Sequence, residues 1–374
     1  MSHTYVKASC HCGLNNFQLA FTTSKLPQST DLCHCNTCRH VTGTMGLHFA
    51  VAHGKPLAAD TGLTPETHKP ADLSNLTEYT TSDILKRYFC KKCSAYVLYY
   101  HYKGIWLVST GAMEKTEGIV KVGYHQYVAD TLDGGLADHY VSFDGKELPR
   151  YTESENSKTV PLGWKEERIA KKEVLTSVED DKLAAYCYCK TISLYLTRPQ
   201  QEDAKDEKKW WLVPAKEDDP TSRPRFIAGH CFCNSCRLSC GALFQTHIIL
   251  PRANVYDAHT SEPIKLAVPK DGTTNPNRPK GLKQYESTPG TFREACGTCG
   301  ATVFYWSKNA EGKHMPVHEG VETEIIDLAA GLVDEEDSGA RAERWVSWYE
   351  NVIHPEDALD KAGMEAIKAG IKKQ

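Results

Sequence analysis

No run in this chain of 374 residues is long and apolar enough to cross a bilayer as a helix. Met1 to Cys10 lack the apolar stretch of a secretory signal, so the expected location is the cytoplasm, with no membrane partner. No basic run is long enough to follow a phosphate backbone, and the net charge is -4, so nucleic acid is not an expected partner. Apolar content of 40% and charged content of 25% are those of an ordinary soluble globular protein, and the length suits two domains with a core each. Cysteine is not scarce: there are fifteen. In a chain without secretory features they need a purpose other than disulfides. Their C-x-C and C-x-x-C spacings are those of metal chelation, with zinc the expected ion.

Fourteen of the fifteen fall into two copies of one pattern. The first has Cys10 and Cys12, then Cys33, Cys35 and Cys38, then Cys90 and Cys93. The second has Cys187 and Cys189, then Cys231, Cys233 and Cys236, then Cys296 and Cys299. Agreement extends beyond the thiols. Asn36 falls on Asn234, Arg39 on Arg237, Gly43 on Gly241, Arg87 on Arg293 and Tyr99 on Tyr305. The copies also differ. His11 falls on Tyr188, His34 on Phe232, Gly13 on Lys190 and Thr42 on Cys240. Phe232 cannot bind metal, so His34 reads as a rim or packing residue rather than a ligand. Lys190 implies a less demanding turn than the one Gly13 serves. Cys240, outside the pattern, reads as a buried, inert thiol.

Seven thiols per copy do not divide into closed four-ligand sites, so one site per copy should have an open position. C-x-x-C alone holds metal weakly and needs a second pair from far along the chain. C-x-C-x-x-C can cap one face of an ion from a single loop. Spacing leaves the partition open, since Cys33 and Cys35 could also join a pair. The preferred split is four plus three. Three thiolates exceed the two charges of a zinc ion. Such a site acidifies water poorly and suits a soft fourth ligand such as a substrate thiolate. Arg39 and Arg237 follow the open-site loops and are candidates for a carboxylate clamp on an anionic substrate, beside the plainer reading of a surface ion pair or cap. Asn36 and Asn234 read as turn residues. Arg87 and Arg293 are placed to balance thiolate charge. No general acid or base stands out.

Elsewhere strands dominate, as in Y-V-L-Y-Y-H-Y, I-W-L-V-S-T and T-V-F-Y-W. The expected organisation is a domain at 1–150, a linker with a short helix at 151–181, a domain at 182–350 and a helical tail at 351–374. The stretch from Ala340 onward is also expected to be helical. A charged insertion after Cys189 carries Trp210 and Trp211, which should pin it to the domain surface. Pro269 to Gly281 reads as a loop.

The chain resembles the glutathione-dependent formaldehyde-activating enzyme family, which includes centromere protein V-like proteins. The motifs that carry the likeness are Cys10-His11-Cys12-Gly13, Cys33-His34-Cys35-Asn36-Thr37-Cys38-Arg39 and Phe89-Cys90-Lys91-Lys92-Cys93. It covers both halves, as a tandem version. The resemblance implies a mainly β fold of two tandem Mss4-like zinc-binding domains, with up to two zinc ions each. It makes Cys10, Cys12, Cys90 and Cys93 structural ligands, with Cys187, Cys189, Cys296 and Cys299 their counterparts. It makes Cys33, Cys35 and Cys38, and likewise Cys231, Cys233 and Cys236, ligands of catalytic zinc. The implied activity is carbon–sulfur lyase chemistry on a small thiol or thiol adduct, with glutathione as co-substrate in S-hydroxymethylglutathione. Two other readings stand beside it: a zinc-stabilised scaffold without catalysis, and a metabolite-tailoring enzyme that works without glutathione.

Overall fold

The structure is a computed structural model that describes residues 2–62, 67–174, 182–219, 221–266, 278–307 and 325–372. It is mainly β, and its two halves repeat one arrangement. In the first, His3–Ser9 and Asn16–Thr22 form a hairpin edged by Leu57–Ala58. In the second, Lys182–Tyr186 and Ser193–Thr197 form a hairpin edged by Val255–Asp257. Each C-x-C lies in the hairpin turn. The Gly13–Lys190 expectation is corrected here: Lys190 takes φ 57° where Gly13 takes φ 70°. The turn is equally left-handed in both halves, and a lysine bears the steric cost that glycine avoids.

A larger sheet follows in each half. The first runs, strand by neighbouring strand, through Val120–Gln126, Gln28–Cys33, Leu47–Val51, Ile105–Ser109, Tyr96–His101, Leu85–Cys90 and Leu76–Ser82. The second runs through Leu212–Val213, Arg225–Cys231, Gln245–Pro251, Ile325–Ala329, Thr302–Ser307, Thr291–Cys296 and Leu282–Thr288. In the first, Val120–Gln126 pairs parallel to Gln28–Cys33. In the second, Val346–Trp348 pairs parallel to Arg225–Cys231.

That last pairing corrects the expectation of helix from Ala340. W-V-S-W is a β-branched and aromatic stretch, and it is taken up as a sheet edge whose bridging runs on to Ile353. Beyond it, helix is limited to a 3-10 turn at Pro355–Asp357 and the α-helix Lys361–Ile371, which buries Met364, Ile367 and Ile371 and packs against Ser142–Phe143 of the first half. The stretch expected as a linker, 151–181, contains the helix Glu167–Val174. Trp211 does pin the insertion: it is buried, and its carbonyl oxygen accepts from the Ile227 N–H. Most of the expected Pro269–Gly281 loop lies outside the described residues.

The halves share a core that joins Val41, Tyr96 and Tyr99 to Leu243, Phe304 and Leu328. They meet through their cysteine helices, Asn36–Thr42 and Asn234–Cys240, which end at Gly43 (φ 77°) and Gly241 (φ 79°). A Cβ on Gly43 would lie 2.2 Å from the Thr302 carbonyl oxygen, and one on Gly241 would lie 2.2 Å from that of Tyr96. Thr302 and Tyr96 are equivalent positions, so the contact is reciprocal. Only glycine permits it at both ends.

Candidate metal centres

The fold draws the fourteen patterned thiols into four groups. In each, the sulfurs lie within 4.8 Å of one another: Cys10, Cys12, Cys90 and Cys93; Cys187, Cys189, Cys296 and Cys299; Cys33, Cys35 and Cys38; Cys231, Cys233 and Cys236. Each quartet ties the first hairpin turn of its half to a knuckle late in the large sheet. Sγ separations of 3.6 Å for Cys10–Cys12 and Cys12–Cys90, and 3.5 Å for Cys187–Cys189 and Cys189–Cys296, can be tested against a tetrahedron. Four sulfurs about 2.3 Å from one zinc are about 3.8 Å apart, so the quartets fit that ion after slight relaxation. Backbone N–H groups of Cys93 and Cys299 point at Cys90 and Cys296, as expected where thiolates need charge dispersed.

Each trio sits at the start of its cysteine helix. Cys33 and Cys231 end a strand, Cys35 and Cys233 cap the helix, and Cys38 and Cys236 lie in its first turn. The cap sulfur accepts the N–H three residues on, at 3.3 Å in both halves. Among the described residues no fourth group completes either trio. Arg87 places Nη2 3.5 Å from Cys38 Sγ, and Arg293 places Nη2 3.6 Å from Cys236 Sγ. Hydrogen bonds from Cys33 and Cys35 hold the Cys38 thiol well below its ordinary value, helped by Arg87. The Cys231 bond and Arg293 do the same for Cys236.

Arg39 and Arg237, expected as a carboxylate clamp, point elsewhere. Arg39 is fully buried. It bonds the Asn36 side chain, the Val333 carbonyl and Glu335 of the other half. Arg237 bonds Asn234 and the carbonyls of Gly111 and Met113. Both guanidinium groups fasten the halves together through bonds made by Arg39 Nη1 and Nη2 and by Arg237 Nε and Nη1. Asn36 and Asn234 orient them. His34 is buried with Nε2 2.9 Å from His125 Nδ1, a packing role. Cys240 is buried, and burial pushes its thiol up to about 12, which makes it inert. His11 reaches across the halves, with Nε2 2.8 Å from Ser235 Oγ and Nδ1 3.0 Å from Tyr285 Oη.

Sequence reasoning missed His247 and Asp327. His247 Nε2 lies 3.6 Å from Cys236 Sγ, and its Nδ1 lies 4.0 Å from Asp327 Oδ2. Burial, and then the Cys236 charge, push the Asp327 carboxyl up to about 8. The signal was a polar residue set against an apolar run in each of two strands, H-I-I-L and I-I-D-L-A.

Residues 5–130, within the first half, match the model of the glutathione-dependent formaldehyde-activating enzyme family. No curated protein matches the chain.

Proposed function

We propose that this protein is a zinc-dependent carbon–sulfur lyase acting on adducts of glutathione or a related thiol, of the S-hydroxymethylglutathione type. The observation that carries the reading is the three-thiol centre, present in each half and left without a fourth protein ligand among the described residues. Two supports accompany it: the family match over the first half, and the repetition of the whole constellation in the second. The quartets are structural zinc sites in this reading. The trios are the reactive ones, and 1–150 and 182–350 are the two domains that present them.

Zinc bound at a trio would supply a soft Lewis-acid seat for the substrate sulfur. The chain's residues do the rest. Cys33, Cys35 and Cys38, fixed by the strand end and helix cap, present one face of a site and leave the other free. Arg87 offsets part of the negative charge that a fourth thiolate would add, and Arg293 does so in the second half. In the lyase direction the C–S bond breaks with its electron pair left on sulfur. The adduct hydroxyl loses its proton and formaldehyde departs. The reverse joins thiol and aldehyde. Arg39 and Arg237 hold the two halves in register, and the carboxylate that Arg39 meets is Glu335 of the protein itself.

The test is formaldehyde release from S-hydroxymethylglutathione by the native protein and by the double variant Cys35→Ser, Cys233→Ser. Release that is abolished in the variant supports the reading; release at the native rate would sink it.

A further inference from the structure

The two trios share their cysteines, an arginine and a tyrosine, but not the wall beside them. Strand register fixes the counterparts. His247 pairs with Ala329 as Phe49 pairs with Ser109, and Ile249 pairs with Asp327 as Val51 pairs with Leu107. So Phe49 and Leu107 stand in the first half where His247 and Asp327 stand in the second. Both walls flank the same tyrosine: Phe49 packs edge-on to Tyr99 at 4.5 Å between ring centres, and His247 faces Tyr305 at 6.3 Å.

The first half shows that the fold is content with apolar residues at these places. Burying an imidazole and a carboxyl there is costly without a return in bonding. The imidazole finds it at sulfur. Cys236 lies against two nitrogen donors, Arg293 Nη2 and His247 Nε2, both at 3.6 Å. For Cys38 the corresponding donor is Arg87 Nη2 alone at 3.5 Å, because a phenyl ring offers sulfur no N–H. Asp327 lies on the far side of the ring, its Oδ2 4.0 Å from Nδ1, beyond hydrogen-bond distance.

The consequence is electrostatic. Three thiolates on a divalent ion carry a formal charge of minus one, and an outside thiolate makes it minus two. Each N–H···S bond draws charge off the cluster and lowers the cost of that step. We propose that the two three-thiol centres are unequal toward an outside thiolate, and that His247, through its contact with Cys236, makes the second the tighter. The second centre then retains a thiol that the first, walled by Phe49 and Leu107, releases. His247 is a positioning residue acting through Cys236. This inference rests on the reading that both trios are metal centres open to a thiol.

Cadmium NMR of the fully loaded protein tests it without recourse to turnover, using 2-mercaptoethanol as the outside thiol. The expected result is two distinct trio resonances, one responding at about tenfold lower thiol concentration, the effect of one added charge-assisted hydrogen bond. His247→Phe with Asp327→Leu copies the first half's wall and should move only that resonance, bringing its response to that of the other. Phe49→His with Leu107→Asp should do the reverse at the first centre. Unshifted quartet resonances report that the fold is kept. Trio resonances that respond together in the native protein, or that neither variant moves, overturn the inference and leave the lyase reading standing. Trio resonances that ignore thiol altogether overturn both.

Discussion

The guanidinium of Arg39 donates to the carbonyl oxygen of Val333 at 2.8 Å, across the junction of the two halves. Arg237 returns the contact on the equivalent Met113 at 3.1 Å. The reciprocity makes the halves one body, and the two ends differ in the charge of their acceptors. Arg39 also meets Glu335, an ion pair whose side chains are 0% and 4% exposed, whereas the acceptors found for Arg237 are neutral oxygens.

Arg39→Ala should therefore cost more than Arg237→Ala. The first leaves the Val333 carbonyl unmet and also takes a charged partner from buried Glu335, which keeps His40 and Asn36; that charged bond adds about 1.5–3 kcal/mol. The second leaves neutral acceptors unmet, worth about 1–3 kcal/mol. Urea denaturation of the two variants checks the order, and a shared core implies a single transition for both halves.

Glu335 gives this junction a pH dependence. Burial pushes its carboxyl up, but the His40 hydrogen bond and the Arg39 charge outweigh that and hold it below 4.5. A depressed carboxyl stabilises fully above its unfolded value and loses the contribution as pH falls through its folded value. The stability gap between the native protein and Glu335→Gln should be constant above about pH 5.5 and narrow in more acid solution. A gap that widens there would contradict the assignment.

The glycines divide by what faces them. Gly13→Ala meets nothing within 4 Å and should cost only the left-handed strain, about 1–2 kcal/mol. Gly43→Ala and Gly241→Ala add a collision with a carbonyl oxygen and should cost about 1–3 kcal/mol more. Lys190→Gly should stabilise by about 1 kcal/mol, since the left-handed turn is already built. Thermal melts of the four variants rank them.

Much of this was legible in the chain because thiol spacing is local. C-x-C, C-x-C-x-x-C and C-x-x-C marked all fourteen patterned thiols and favoured a four-plus-three split, while the grouping itself needed the fold. Comparing the halves also demoted His34. The arginines were misread because sequence carries no direction. Arg39 follows the open-site loop, yet its position on the helix turns it away from the thiols and into the other half. The stretch at Trp345–Trp348 was misread because charged neighbours gave it helical propensity, while pairing with Arg225–Cys231 decided its state. His247 and Asp327 were missed because they lie 80 residues apart in sequence. Only the strand between Thr302 and Ser307 and the pairing of Gln245–Pro251 with Ile325–Ala329 bring them to one sulfur.

Chelation separates the two kinds of centre. Removing metal from a quartet unties a hairpin turn from a distant knuckle, so it should cost folded structure. Cys90→Ser or Cys296→Ser should bring rapid proteolysis and loss of near-ultraviolet dichroism. Cys35→Ser and Cys233→Ser should keep both signals, because each trio lies within one loop and helix turn. Equal sensitivity of all four variants would contradict the division of labour.

The central claim is that a three-thiol centre takes an outside sulfur. Cobalt(II) in place of zinc reports it directly, because thiolate-bound cobalt absorbs in the visible and its bands follow coordination. Titration with glutathione should change the spectrum saturably, and the change should vanish in the Cys35→Ser, Cys233→Ser double variant. A spectrum that glutathione leaves untouched would contradict the claim.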